Sequence, residues 1–207
     1  MADGFPGEPH GDQPEAVKSL DRYLRNARIA HARTWIPKGS AVLDVGCGDG
    51  QLFRALEGDI SRGVGIEPTL EAKVTLAGCE LLPGNFPDSV PVGGDTFDVV
   101  TMLAVLEHIT PDGQAKLASA CDAVLNPGGR VVITVPSPRV DDILHVLLAL
   151  RLIDGISAHE HYGFKPALTT DIFPAPTYRL LKRQRFQLGL NNLFVFEKAG
   201  TPAATPA

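Results

Sequence analysis

Residues Val42 to Gly50 read Val-Leu-Asp-Val-Gly-Cys-Gly-Asp-Gly, an apolar run that ends in three glycines at alternate positions. Ala41-Val42-Leu43-Asp44-Val45 has the composition of a buried strand and Gln51 to Leu56 has helical spacing, so the segment predicts strand, glycine turn, helix. A glycine lets the backbone approach a ligand closely, and the start of a helix offers N–H groups without intrahelical partners. Glu67 closes a second apolar run, Gly63-Val64-Gly65-Ile66, roughly 20 residues on, where an acidic residue in this architecture accepts hydrogen bonds from ribose hydroxyls. Together these features predict a nucleoside-binding crevice.

The spacing also bears on which nucleoside. A dinucleotide fingerprint runs Gly-x-Gly-x-x-Gly, and the position that would carry its last glycine is Gln51. Nicotinamide-dependent reduction is disfavoured on that ground. A carboxylate at Asp44, beside the turn, repels a pyrophosphate and attracts a cationic amino acid group.

Farther along, Glu80-Leu81-Leu82 reads as a weak third strand and Phe97 to Leu103 as a fourth that is apolar almost throughout, as strands covered on both faces are. Asp112 to Leu125 is helical in pattern and is stopped by Asn126-Pro127-Gly128-Gly129, before Arg130 to Val135 supplies a fifth, β-branched strand. An amphipathic helix from Pro14 to Trp35 leads into this alternation. After it come an apolar helix around Ile143 to Ile153 and two strands, Gln184 to Gln187 and Asn192 to Glu197, joined closely enough for an antiparallel hairpin. The expected fold is α/β and Rossmann-like: a mostly parallel seven-stranded sheet, helices on both faces, and the hairpin at the C-terminal end. Residues 14–199 are expected to form a single domain, with disordered ends at 1–13 and 200–207.

Composition narrows the partners. A formal net charge of −5 supplies no general attraction for a phosphate backbone, so nucleic acid is not expected as a partner. The run Lys182-Arg183-Gln184-Arg185 reads as a solvated strand edge. Cys47, Cys79 and Cys121 lack the close pairing of a zinc or redox motif and read as reduced thiols. The acidic, Gly/Pro-rich start does not resemble a signal peptide and no apolar run has the length of a bilayer span, so a cytoplasmic protein is expected, with no membrane partner.

In the order of its landmarks the chain resembles the class I S-adenosylmethionine-dependent methyltransferases. Val42 to Gly50 is similar to that family's first motif almost letter for letter, and Gly84-Asn85-Phe86-Pro87 to its adenine-recognising segment. Phe97 to His108 resembles its fourth strand and exit loop, and Asn126 to Gly129 the turn that follows. The resemblance implies S-adenosyl-L-methionine as cofactor and S-adenosyl-L-homocysteine as product. It implies that Gly46, Cys47, Gly48 and Gly50 form the turn facing the methionine part, with Asp44 contacting it directly or through water. Glu67 would hold the ribose, with Pro68 and Leu103 also touching the cofactor. Asn85 would meet the adenine edge and Phe86 pack on the ring, although the family usually carries Asp at the position of Asn85.

Methyl transfer depends chiefly on holding the acceptor in line, and a hydroxyl acceptor must in addition lose a proton. Histidine suits that task near neutral pH. His108, at the exit of the fourth strand, is the first choice, with His159 and His161 of His159-Glu160-His161-Tyr162 as further candidates; packing of a loop is the competing role for each. No third ligand is placed for a metal, so none is expected. No Asn-Pro-Pro-Tyr tetrad, associated with amide or exocyclic amine methylation, follows the fourth strand. The expected reaction is O-methylation of a small molecule, with N- or C-methylation and noncatalytic cofactor binding as alternatives. The Ile143 to Ile153 helix reads as core, lid or subunit contact, which leaves a homodimer open. Tyr23 and Arg25, on the first helix, are the remaining candidates for the cofactor's carboxylate.

Overall fold

A computed structural model describes residues 15–90, 96–137 and 164–200. The elements run α1 (Glu15–Arg33), β1 (Ala41–Val45), α2 (Gln51–Ala55), β2 (Arg62–Glu67), β3 (Val74–Leu76), β4 (Cys79–Pro83) and β5 (Phe97–Leu103). They continue with α3 (Pro111–Val124), β6 (Leu125–Pro136), α4 (Thr169–Ile172), β7 (Tyr178–Phe186) and β8 (Asn191–Lys198). The apolar segment around 143–153, His159, His161 and both chain ends lie outside the described residues.

Among the described residues, eight strands join one sheet in the order β3-β4-β2-β1-β5-β6-β8-β7. β1, β2, β4, β5 and β6 run parallel, while β3 and β8 are antiparallel to their neighbours. Side chains along the central strands divide the core in two. Leu43, Val100, Val131 and Phe194 face α3 and α4, whereas Val42, Val99, Val132 and Val195 face α1 and α2. Each fully buried Leu, Val or Phe contributes roughly 2 kcal/mol of transfer free energy, so a strand buried on both faces is held in the interior of the sheet.

Among the described residues the sheet has eight strands where the sequence predicts seven. The addition is β3, a three-residue edge strand paired with β4 through a turn at Ala77 (φ 50°) and Gly78 (φ 75°). Positive φ at both central positions is the geometry whose twist matches a hairpin, and an alanine in the first of them hides it from a sequence reading. The Asn126 to Gly129 turn also lies inside a strand rather than before one. β6 pairs Leu125 with Phe97, skips, and resumes at Arg130 opposite Val99, with Gly128 in the left-handed region at φ 77°. The predicted sixth strand starts earlier than Gln184, at Tyr178, and pairs with β8 as an antiparallel hairpin.

Topology fixes where a ligand can enter. From β1 the chain moves outward to β2 and β4, then crosses to β5 on the other side of β1. Loops leaving β1 and β5 therefore diverge and open a crevice beyond the carboxyl ends of these strands. Among the described residues no helix is long and apolar enough to cross a membrane.

Candidate active site

The glycine turn stands at that crevice. Gly46, Gly48 and Gly50 have φ of 71°, 51° and 78°, a region that residues with a side chain rarely adopt. Their surroundings differ. A Cβ on Gly46 would overlap the Val105 side chain and one on Gly50 would overlap Leu76, whereas one on Gly48 meets nothing within 4 Å. Gly46 and Gly50 thus allow close packing, and Gly48 is the member of the turn that faces open space.

The amides of the turn are engaged within the protein. Gly46 N and Cys47 N donate to the Ile66 carbonyl at 2.8 and 3.2 Å, which ties the turn to the end of β2. Gly48 N donates to Glu67 Oε2 at 3.0 Å. Glu67 Oε1 accepts two further bonds, from Thr69 N at 3.0 Å and Thr69 Oγ1 at 2.7 Å. A carboxylate offers about four acceptor sites, so Glu67 retains capacity for one ribose hydroxyl and must exchange Thr69 for a second. Thr69 has no place in the sequence reading; its signal is a hydroxyl two residues after a strand-ending acid, a spacing that favours a local side-chain to backbone bond.

Asp44 lies beneath the turn, 3% exposed, on the face shared with Val42. Thr101, opposite it on β5, donates from Oγ1 to Asp44 Oδ1 at 2.6 Å and also lies 3.3 Å from the Leu43 carbonyl. Burial pushes the Asp44 carboxyl up to about 7, Thr101 pulls it back in part, and the charge of Glu67 adds to the rise. A cation beside Asp44 would reverse that rise. Burial likewise pushes the Cys47 thiol up to about 12, with Asp44, Glu67 and Asp49 adding to it. Cys47 is therefore an unreactive filler, and its Sγ sits where a Cβ on Gly65 would have to go.

Glu67 connects the turn to the segment expected to meet adenine, because its carbonyl accepts from Gly84 N at 3.2 Å. Asn85 is exposed, its backbone fixed by Ser89 through Asn85 N to Ser89 Oγ at 3.1 Å and Ser89 N to Asn85 O at 2.9 Å. Phe86 is half-buried against the core, and Pro68 is exposed just past β2. Leu103, half-buried, ends β5 on the face of Asp44 and Thr101. Beyond it Ala104 takes φ 60° and donates to the Thr134 carbonyl at 2.9 Å, which re-aims the exit loop.

His108 closes a 3-10 turn on that loop, Leu106–His108, and is exposed. Its amide donates to Val105, the residue packed against Gly46, at 3.0 Å. Arg25 on α1 pairs with Asp49 in the turn at 3.8 Å, both well exposed, and Tyr23 is 63% exposed. Helix α1 thus reaches the glycine turn. A polar cavity of about 330 Å³ lies instead at the opposite end of the strands, lined by Lys38, Asp98, Gly128 and Arg130 among others. Its carboxylate, Asp98, is satisfied by Ala41 N and Asn126 Nδ2, each at 2.8 Å, and ties strand starts together.

Two buried carboxylates at the ends of β1 and β2, with an open glycine between them, suit a ligand that carries both an ammonium and ribose hydroxyls. Comparison with known proteins points the same way. The sequence profile of the methyltransferase domain family matches residues 17–181. Ubiquinone biosynthesis O-methyltransferase of Vibrio atlanticus is 29% identical over 167 residues, covering 75% of this chain and 67% of that protein. The protein of the same name from Vibrio campbellii is 32% identical over 142 residues, 62% of this chain but only 59% of that relative's length. Among solved structures, CalO1, a methyltransferase in calicheamicin biosynthesis with S-adenosylhomocysteine bound, superposes with a TM-score of 0.60 over 89% of this chain and 56% of that one. At 20% identity that likeness concerns the fold. The chain belongs to the methyltransferase domain family, as an enzyme of the class I type whose cofactor is S-adenosyl-L-methionine.

Proposed function

We propose that this enzyme transfers the methyl group to an oxygen of a small molecule. The observation that carries the reading is one end of the sheet that gathers buried Asp44, the open face of Gly48 and, on the loop leaving β5, His108. S-adenosylmethionine supplies a methyl group activated by a sulfonium, so the protein's own work is to orient both partners and to receive a proton. Asp44 holds the ammonium of the cofactor and Glu67 its ribose hydroxyls, with Asn85 and Phe86 at adenine and Leu103 and Pro68 bounding the pocket. His108 accepts the proton of the acceptor hydroxyl, a transfer that an imidazole performs well near neutral pH. The name shared by the Vibrio relatives supports an oxygen acceptor. So does the exit of β5, which reads Ala104-Val105-Leu106-Glu107 in place of the Asn-Pro-Pro-Tyr tetrad.

The test is incubation with methyl-labelled S-adenosylmethionine and two acceptor panels, phenols and catechols in one and small amines in the other. Label on hydroxyl compounds alone is the expected result. Label on amines alone would overturn the oxygen assignment, and cofactor binding without label in either panel would favour a noncatalytic binder.

A further inference from the structure

Thr101 is the one polar side chain in a stretch of β5 where Val99, Val100 and Met102 are buried and apolar, and it has no exposed surface itself. An unpartnered hydroxyl there would be costly. It has instead two acceptors and one proton to give, Asp44 Oδ1 at 2.6 Å and the Leu43 carbonyl at 3.3 Å. Both charge states of Asp44 are thereby served. When Asp44 is ionised, Thr101 donates to it. When Asp44 is neutral, the carboxyl O–H donates to Thr101 Oγ1, whose own proton turns to Leu43.

We propose that Thr101 is a positioning residue for the cofactor's ammonium: it aims the Asp44 carboxyl and accommodates its neutral form, so that binding of the cofactor expels one proton from Asp44 to solvent. The inference rests on the reading above that Asp44 meets the ammonium. Among the described residues, the titratable groups that bear on this corner are Glu67 from the end of β2, which opposes ionisation of Asp44, and Cys47 in the turn. Asp49 follows in the turn and is paired with Arg25 of α1. None of these supplies a compensating cation to Asp44, and burial leaves it near half-protonation at neutral pH. The arriving ammonium is the group that completes the site.

The proton balance predicts the pH dependence. Below about pH 7 cofactor affinity should rise nearly tenfold per pH unit, since the proton on Asp44 must leave. Above about pH 8 it should fall again as the α-amino group of the ligand loses its own proton.

Calorimetric titration of S-adenosylmethionine and S-adenosylhomocysteine into wild type, Thr101→Val and Thr101→Ser tests this, in buffers of differing ionisation enthalpy from about pH 6 to about pH 9. Wild type should release close to one proton at the acid end. Thr101→Val removes the donor that favours the ionised form, so its acid limb should move upward by about one unit and affinity near pH 7 should drop by up to tenfold. Thr101→Ser should restore the wild-type profile. Loss by one constant factor at every pH in Thr101→Val would overturn the inference, as would wild type that binds without releasing a proton. The latter measurement stands even if Thr101→Val does not fold. Wild type that binds neither ligand would overturn the cofactor assignment itself.

Discussion

The Gly48 amide donates to the Glu67 carboxylate at 3.0 Å, so the acid expected to receive ribose also holds the glycine turn in place. Ribose binding and turn conformation are then coupled through one side chain. Glu67→Gln keeps the shape but offers a single acceptor oxygen to donors that approach both ends, leaving an NH₂ facing either Gly48 N or Thr69 N. Loss of a hydrogen bond to a charged group is worth about 1.5–3 kcal/mol, and cofactor affinity should fall by about tenfold or more. Faster hydrogen exchange at the Gly48 amide without cofactor would separate loosening of the turn from loss of the ribose contact alone.

The glycines of the turn should respond differently to alanine. Gly46→Ala puts a methyl into the stiff, β-branched Val105 at φ 71° and should destabilise the fold by about 1–3 kcal/mol, read as a lowered unfolding midpoint. Gly48→Ala has free space and only the strain of φ 51°, about 1–2 kcal/mol. Its main effect should be weaker cofactor binding in a folded protein. Equal affinity for the wild type and a folded Gly48→Ala would show that the ligand does not lie against this face.

His108→Ala should separate chemistry from binding. The imidazole is exposed on the loop beyond β5 and is proposed to serve the acceptor rather than the cofactor, so cofactor Kd should change by less than about twofold while kcat drops on the order of a hundredfold if the histidine is the base. Unchanged kcat at saturating acceptor would reduce His108 to a loop residue.

How much of this was legible follows from how far apart the interacting residues are. The turn could be read because its signal is local: strand, glycines and helix are contiguous from Ala41 to Ala55, and Phe97–Leu103 has the burial its composition predicts. Thr101 could not, since its partner is 57 residues away and the pair exists only because β1 and β5 are neighbours. The partners of the turn amides were hidden for the same reason. The amides look available in sequence, yet Ile66 and Glu67, also brought in by strand pairing, already accept from them. β3 and the exit loop escape for a different reason. Ala77, in a two-residue hairpin turn, and Ala104, at the exit of β5, hold positive φ that residue type does not announce.

Asp44 makes a prediction about stability that is independent of turnover. Its carboxyl is raised to about 7 in the folded protein, against about 3.9 in an unfolded chain. Between those values the folded state binds more protons than the unfolded one, so stability falls as pH rises through the window from about 4 to about 7. Above the window Asp44 is charged in both states, and the folded protein carries an uncompensated buried carboxylate that costs on the order of a few kcal/mol. Asp44→Asn removes this dependence. Denaturant unfolding near pH 5 and near pH 8 should therefore show wild type losing more stability than Asp44→Asn over that interval. If Asp44 meets the cofactor's ammonium as proposed, saturating S-adenosylmethionine should close most of the gap for wild type alone, because that ammonium would neutralise the charge that burial isolates. An equal pH dependence in both proteins would mean that Asp44 is ionised at little cost, and that the turn already supplies the compensation assigned here to the cofactor.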